Sequence, residues 1–137
     1  MQILVVDAQG GGIGKQLVSM LKKNRPDCEI TAVGTNSIAT SAMLKAGADH
    51  CATGENAVIT GCRKADYIIG PVGIVIADSM YGEITPAMAV AIGQSSASRI
   101  LLPINHCSNI IAGVQNLNTG ALIKNVLEEL DKLEKNN

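Results

Sequence analysis

The stretch QILVVDAQGGGIGKQLVSMLKK, residues 2–23, decides how this chain folds. Between Gln2 and Asp7 every residue is apolar, without the alternation of a half-exposed strand. Such a run fits a strand buried on both faces of a parallel sheet. Glycines at 10, 11, 12 and 14 then punctuate the chain. After them Ile13, Leu17, Met20 and Leu21 recur at helical spacing, and Lys22 and Lys23 close the helix where its dipole favours cations. A strand, a glycine turn and a helix in immediate succession open a βαβ unit.

The same alternation continues outward. Pro26 forces a turn, and Glu29–Gly34 reads as a second strand. Residues 36–46 predict a helix capped by Asn36 or Ser37 and stopped by Gly47. A weak strand over 48–53 and a helix over 54–64 follow. A fourth strand covers 66–70, with 73–77 as its candidate continuation. Thr85 and Pro86 are a cap and a first helical residue, and that helix runs to about Gln94. Strands over 99–104 and 109–114, a closing helix over 121–133 and a polar tail over 134–137 complete the chain. Strands alternating with helices imply a doubly wound α/β fold. The expected architecture is a mostly parallel sheet of five to six strands with helices on both faces, a Rossmann-like three-layer sandwich. A length of 137 residues fits one such domain.

Composition bounds the function. The chain carries 11 basic and 12 acidic residues, with no Phe, no Trp and two Tyr. Scattered cations and missing aromatic platforms argue against nucleic acid as a partner. The longest apolar run, residues 67–77, is broken by Gly70, Pro71 and Gly73 and is too short to span a membrane. The start lacks a basic leader, so a cytoplasmic location is expected. Cys28, Cys51, Cys62 and Cys107 form no C-x-x-C pair and read mainly as small apolar residues. His50-Cys51 and His106-Cys107 each offer at most one ligand, since strand neighbours face opposite ways. No metal site is expected. Cys107 is the better candidate for a reactive thiol.

The glycine turn is the strongest chemical signal. Amide hydrogens over Gln9, Gly10, Gly11, Gly12, Ile13, Gly14 and Lys15, at the start of a helix, suit a phosphate. The bland alternative is a purely conformational turn. A strict G-x-G-x-x-G is absent, because Gln9 occupies the first glycine position. A P-loop fails at Gln9 and at Gln16, where Ser or Thr would hold magnesium. Gly12-Ile13-Gly14 matches the end of the short-chain dehydrogenase turn, yet neither Tyr67 nor Tyr81 is followed four residues on by Lys. That chemistry is discarded. An NAD site also wants an acid after the second strand, where this chain has Thr35-Asn36. NADP or a mononucleotide is therefore expected in preference to NAD, with the cofactor itself unidentified.

Ligands of open α/β sheets bind beyond the carboxyl ends of the strands. Those ends carry Thr35, Asn36, Thr53, Asn56, Gly70 and Asn105 as candidate binding residues. Asp7, Glu55, Asp78 and Glu83 are the candidate acid–base groups. Each residue taken singly is equally readable as a cap or turn former.

Together these segments resemble a short bacterial family known as domain of unknown function 3842. The resemblance rests on VDAQGGGIGK (6–15), GTN (34–36), ATSAMLKAG (39–47), ATGENA (52–57), GPVG (70–73), GEITP (82–86) and LLPIN (101–105), and covers roughly residues 1–115. Ala8 departs from the family pattern, where glycine is common, and leaves less room for backbone approach. The resemblance implies a Rossmann-like fold and supplies no activity.

The first functional expectation is a protein that binds a nucleotide or another small phosphorylated metabolite at residues 10–15. The second is a small enzyme, a hydrolase, isomerase or NADP-linked reductase, working through the rim carboxylates. The third is a regulatory or assembly module presenting Ile74, Val75, Met80 and Met88 as an exposed interface. A homo-oligomer, a dimer in the first instance, is expected to help close the crevice.

Overall fold

The structure, a computed structural model, describes residues 1–104 and 108–137. Asn105, His106 and Cys107, with the roles expected of them, lie outside those residues. Five parallel strands form one sheet in the order β3-β2-β1-β4-β5. They are β1 (Gln2–Asp7), β2 (Glu29–Gly34), β3 (His50–Thr53), β4 (Tyr67–Pro71) and β5 (Ser98–Leu102). The helices are α1 (Gly12–Asn24), α2 (Ser37–Lys45), α3 (Glu55–Lys64), α4 (Pro86–Gln94) and α5 (Thr119–Lys135).

Two apolar layers explain why β1 reads as an unbroken hydrophobic run. Ile3 and Val5 point to one side, onto Leu17, Val18 and Leu21 of α1, Met43 of α2 and Val126 of α5. Leu4 and Val6 point to the other, with Val58 of α3 and Met88 and Ile92 of α4. This is the doubly wound, Rossmann-like α/β sandwich expected from the alternation. Three helices start on side-chain caps. Asn36 accepts from the Ala39 N–H, Thr85 from the Met88 N–H ahead of Pro86, and Asn118 from the Ala121 N–H. Such a cap contributes roughly 0.5–2 kcal/mol.

Three expectations need correction. Residues 109–114 form no strand: Ile110 stands 93% exposed and Gly113 breaks the run at φ 79°. Strand propensity without a partner ladder is not enough to make a strand. Nor do residues 73–77 continue β4, because the chain turns into a 3₁₀ helix over Val72–Val75 directly after Pro71. The proposed interface fails as well. Ile74, Met80 and Met88 are buried, at 0%, 2% and 3% exposure, and only Val75 is half-exposed.

Candidate functional site

The strand order reverses between β1 and β4, so the crevice of this sheet lies where β1 runs into α1. Two kinds of glycine build that turn. Gly11 is the left-handed residue before α1, at φ 74°, and a Cβ there would sit 2.7 Å from the Ala39 Cα. A Cβ on Gly14 would meet the Met43 Sδ at 2.5 Å and the Asp7 Cβ at 2.9 Å. Both are glycine because α1 must pack closely on α2 and β1. Gly10 and Gly12 differ: neither is left-handed, and a Cβ on either would meet nothing within 4 Å.

The amides divide the same way. The Gly11 N–H donates to the Ala8 carbonyl, the Gly14 N–H to Asp7 Oδ2 at 2.7 Å, and the Lys15 N–H to the Gly11 carbonyl. The expectation that all amides from 10 to 15 face an anion is therefore corrected. Among the described residues none accepts from the N–H of Gly10 or Gly12.

Asp7 lies under the turn instead of on the rim. It is 2% exposed, and its other oxygen accepts from the Ala8 N–H at 2.8 Å. Burial pushes its pKa above the ordinary carboxylate value, against the pull of the Gly14 and Ala8 amides. Glu83 is the opposite case. It precedes α4, yet its Oε1 accepts from the Gln9 N–H at 2.9 Å, Thr35 Oγ1 at 2.7 Å and Asn36 Nδ2 at 2.7 Å. Partial burial opposes its ionisation, but those three donors outweigh burial and hold it below the ordinary glutamate value. The two shifts run in opposite directions, as in an acid–base pair. Asp7 is nevertheless sealed from any substrate, so the pair does not work as one.

Glu83 also changes the reading of β2. The acid missing after that strand in sequence arrives from a distant loop and sits on Thr35 and Asn36. The preference against NAD rested on its absence, and that ground is gone. The loop delivering it is strained: Asp78, Met80, Tyr81 and Gly82 all take left-handed φ, between 53° and 85°, and Tyr81 is 99% exposed. Non-glycine residues held this way cost about 1–3 kcal/mol each and concentrate at functional positions.

The remaining candidates scatter. The Glu55 carboxylate accepts from Thr85 Oγ1 at 2.6 Å, and Thr53 bonds Thr40 through their hydroxyls. Asn56 and Asp78 are exposed. Gly70 serves the sheet, since a Cβ there would sit 2.5 Å from the Val6 carbonyl oxygen. Sequence reasoning missed Lys45. It lines, with Lys15, Gly10, Ser37 and Ser41, a hollow of about 600 Å³ between α1 and α2. Only its place at the end of a helix beside the turn signalled it. A second cleft of about 680 Å³ is lined by Gln9, residues 76–81, Ser108 and Asn109. A third hollow, about 380 Å³, lies between α3 and the face formed by β1, β2 and β3. Among the described residues no cluster of His, Cys, Asp and Glu could hold a metal ion, and no helix is long and apolar enough to cross a membrane.

Sheet order and turn define a Rossmann-like α/β protein with a glycine-rich β1–α1 crossing. The chain belongs to the family described as domain of unknown function (DUF3842), whose model matches residues 2–135. No curated protein matches the sequence. Among solved structures it is similar to the crystal structure of a dodecameric FMN-dependent Ubix-like decarboxylase from Escherichia coli O157:H7. The TM-score is 0.49, with 14% identity over 96% of this chain and 95% of that one.

Proposed function

We propose that this is a cytoplasmic protein that binds a nucleotide or a related small phosphorylated metabolite, with the phosphate on the amides of Gly10 and Gly12. One observation carries the reading. These two glycines have neither a backbone conformation nor a neighbour that requires glycine, and their N–H groups have no acceptor among the described residues. A side chain there would only obstruct whatever approaches the amides. The start of α1 adds a dipole worth about 0.3–1 kcal/mol to an anion. Lys15 and Lys45 line the hollow into which Gly10 opens. No observation favours catalysis over binding, because Asp7 is sealed, Glu55 is engaged by Thr85 and Glu83 by three donors. Exposed apolar side chains at Ile110, Ile111, Val114 and Leu117 support a homo-oligomer, which sedimentation at micromolar concentration tests.

The test of the binding reading is thermal unfolding against a panel of phosphorylated metabolites, each paired with its dephosphorylated counterpart. Stabilisation by phosphorylated members alone is expected. A panel without any phosphate-dependent shift contradicts it.

A further inference from the structure

We propose that Glu83 is the sugar-recognising residue of this site: its free Oε2 accepts the 2-hydroxyl of a ribose whose 5-phosphate lies on Gly10 and Gly12. The proposal rests on the phosphate reading above and narrows the ligand to ribonucleotides and ribose phosphates without a phosphate on that hydroxyl.

The geometry is unusual for a surface glutamate. All three donors, Gln9 N–H, Thr35 Oγ1 and Asn36 Nδ2, converge on Oε1, while no described residue donates to Oε2. The carboxylate is thus fixed in orientation with one acceptor left over. It is fixed at the end of β2, where a dinucleotide-binding fold places an acid for ribose hydroxyls. Gln9 immediately precedes Gly10, so the carboxylate and the proposed phosphate position are neighbours along the turn. Asn36 Nδ2 also donates to the Gln9 carbonyl at 2.9 Å, tying the turn and the carboxylate holder into one unit. A fixed negative charge accepts a hydroxyl and repels a phosphate on the same carbon, which disfavours the NADP-type ligand expected from sequence. The acid comes from a loop 48 residues beyond its Thr35 partner, so only the folded chain reveals it.

The experiment is an amide and carboxyl NMR titration of the full chain with inorganic phosphate, 2-deoxyribose 5-phosphate and ribose 5-phosphate, which lack a base. All three are expected to move the Gly10 and Gly12 amides. Ribose 5-phosphate is expected to bind about tenfold more tightly than its 2-deoxy analogue, the weight of one hydrogen bond to a charged acceptor. It alone should move the Glu83 side-chain carboxyl. In Glu83→Gln an amide NH₂ replaces the charged acceptor and can only donate a weaker, neutral bond to the hydroxyl oxygen, so the preference should fall to about threefold or less. Equal affinity for the two sugars, or an unmoved Glu83 carboxyl, overturns this proposal and leaves the phosphate reading standing. A tenfold preference surviving in folded Glu83→Gln overturns it too. If no probe moves Gly10 and Gly12, both readings fall together.

Discussion

The inner wall and the outer rim of the β1–α1 turn are made from the same residue type for opposite reasons. Gly11 and Gly14 face inward, and both would collide with α2 if they carried a side chain. Gly10 and Gly12 face outward into open space. The carboxylates repeat the division, with Asp7 holding the turn from beneath and Glu83 resting on it from above. The inner set answers to packing. On the outer side neither a neighbour nor a left-handed backbone requires glycine at 10 or 12, and that makes this rim the place to look for a ligand.

The comparison breaks most visibly at the inner wall. Gly11→Ala or Gly14→Ala should lower unfolding free energy by about 3 kcal/mol, from left-handed strain and collision with the Ala39 backbone in the first and from overpacking against fully buried Met43 in the second. Urea unfolding measures it, and a loss below about 1 kcal/mol would mean that these glycines are not packed as described. Asp7→Asn should cost about 2 kcal/mol, because an amide cannot accept from both Ala8 and Gly14. A gain in stability there would show that relief of a buried charge outweighs the lost bond.

On the rim, Tyr81→Gly should stabilise the fold by roughly 1 kcal/mol by relieving a left-handed residue whose side chain is 99% exposed. A loss instead would mean that the tyrosine makes a contact the strain argument ignores. The smallest effect is a pH dependence. Glu83 titrates below its ordinary value of 4.5 in the folded chain, so its contribution is present above that pH and fades as pH falls through the depressed folded value. The stability gap between wild type and Glu83→Gln should accordingly be widest at neutral pH and close on acidification. A gap that widens in acid has the wrong sign.

Much of this frame was legible in sequence because local rules dominate it. The β1 run, the Asn36 and Thr85 caps and the lysines closing α1 each follow from residues within one turn of themselves. The division among glycines was not legible, since Gly11 is set apart from its neighbour Gly12 by a left-handed φ and by what α2 brings to it, both of which appear only in the folded chain. Glu83 stood out as a carboxylate at a strand end, but its partners lie 47, 48 and 74 residues away. The left-handed run at Asp78, Met80 and Tyr81 was hidden for another reason: local preference opposes it, and only the surrounding structure enforces it. Residues 109–114 misled because apolar content alone does not supply a neighbouring strand.

The most direct test compares wild type with the Gly10→Ala, Gly12→Ala double variant, measuring the melting temperature and the affinity for inorganic phosphate together. Both new methyl groups enter empty space, so the melting temperature should not fall, while phosphate affinity should drop at least about tenfold. A variant that stays folded and binds phosphate as tightly as wild type would contradict the claim that the outer amides are the anion site.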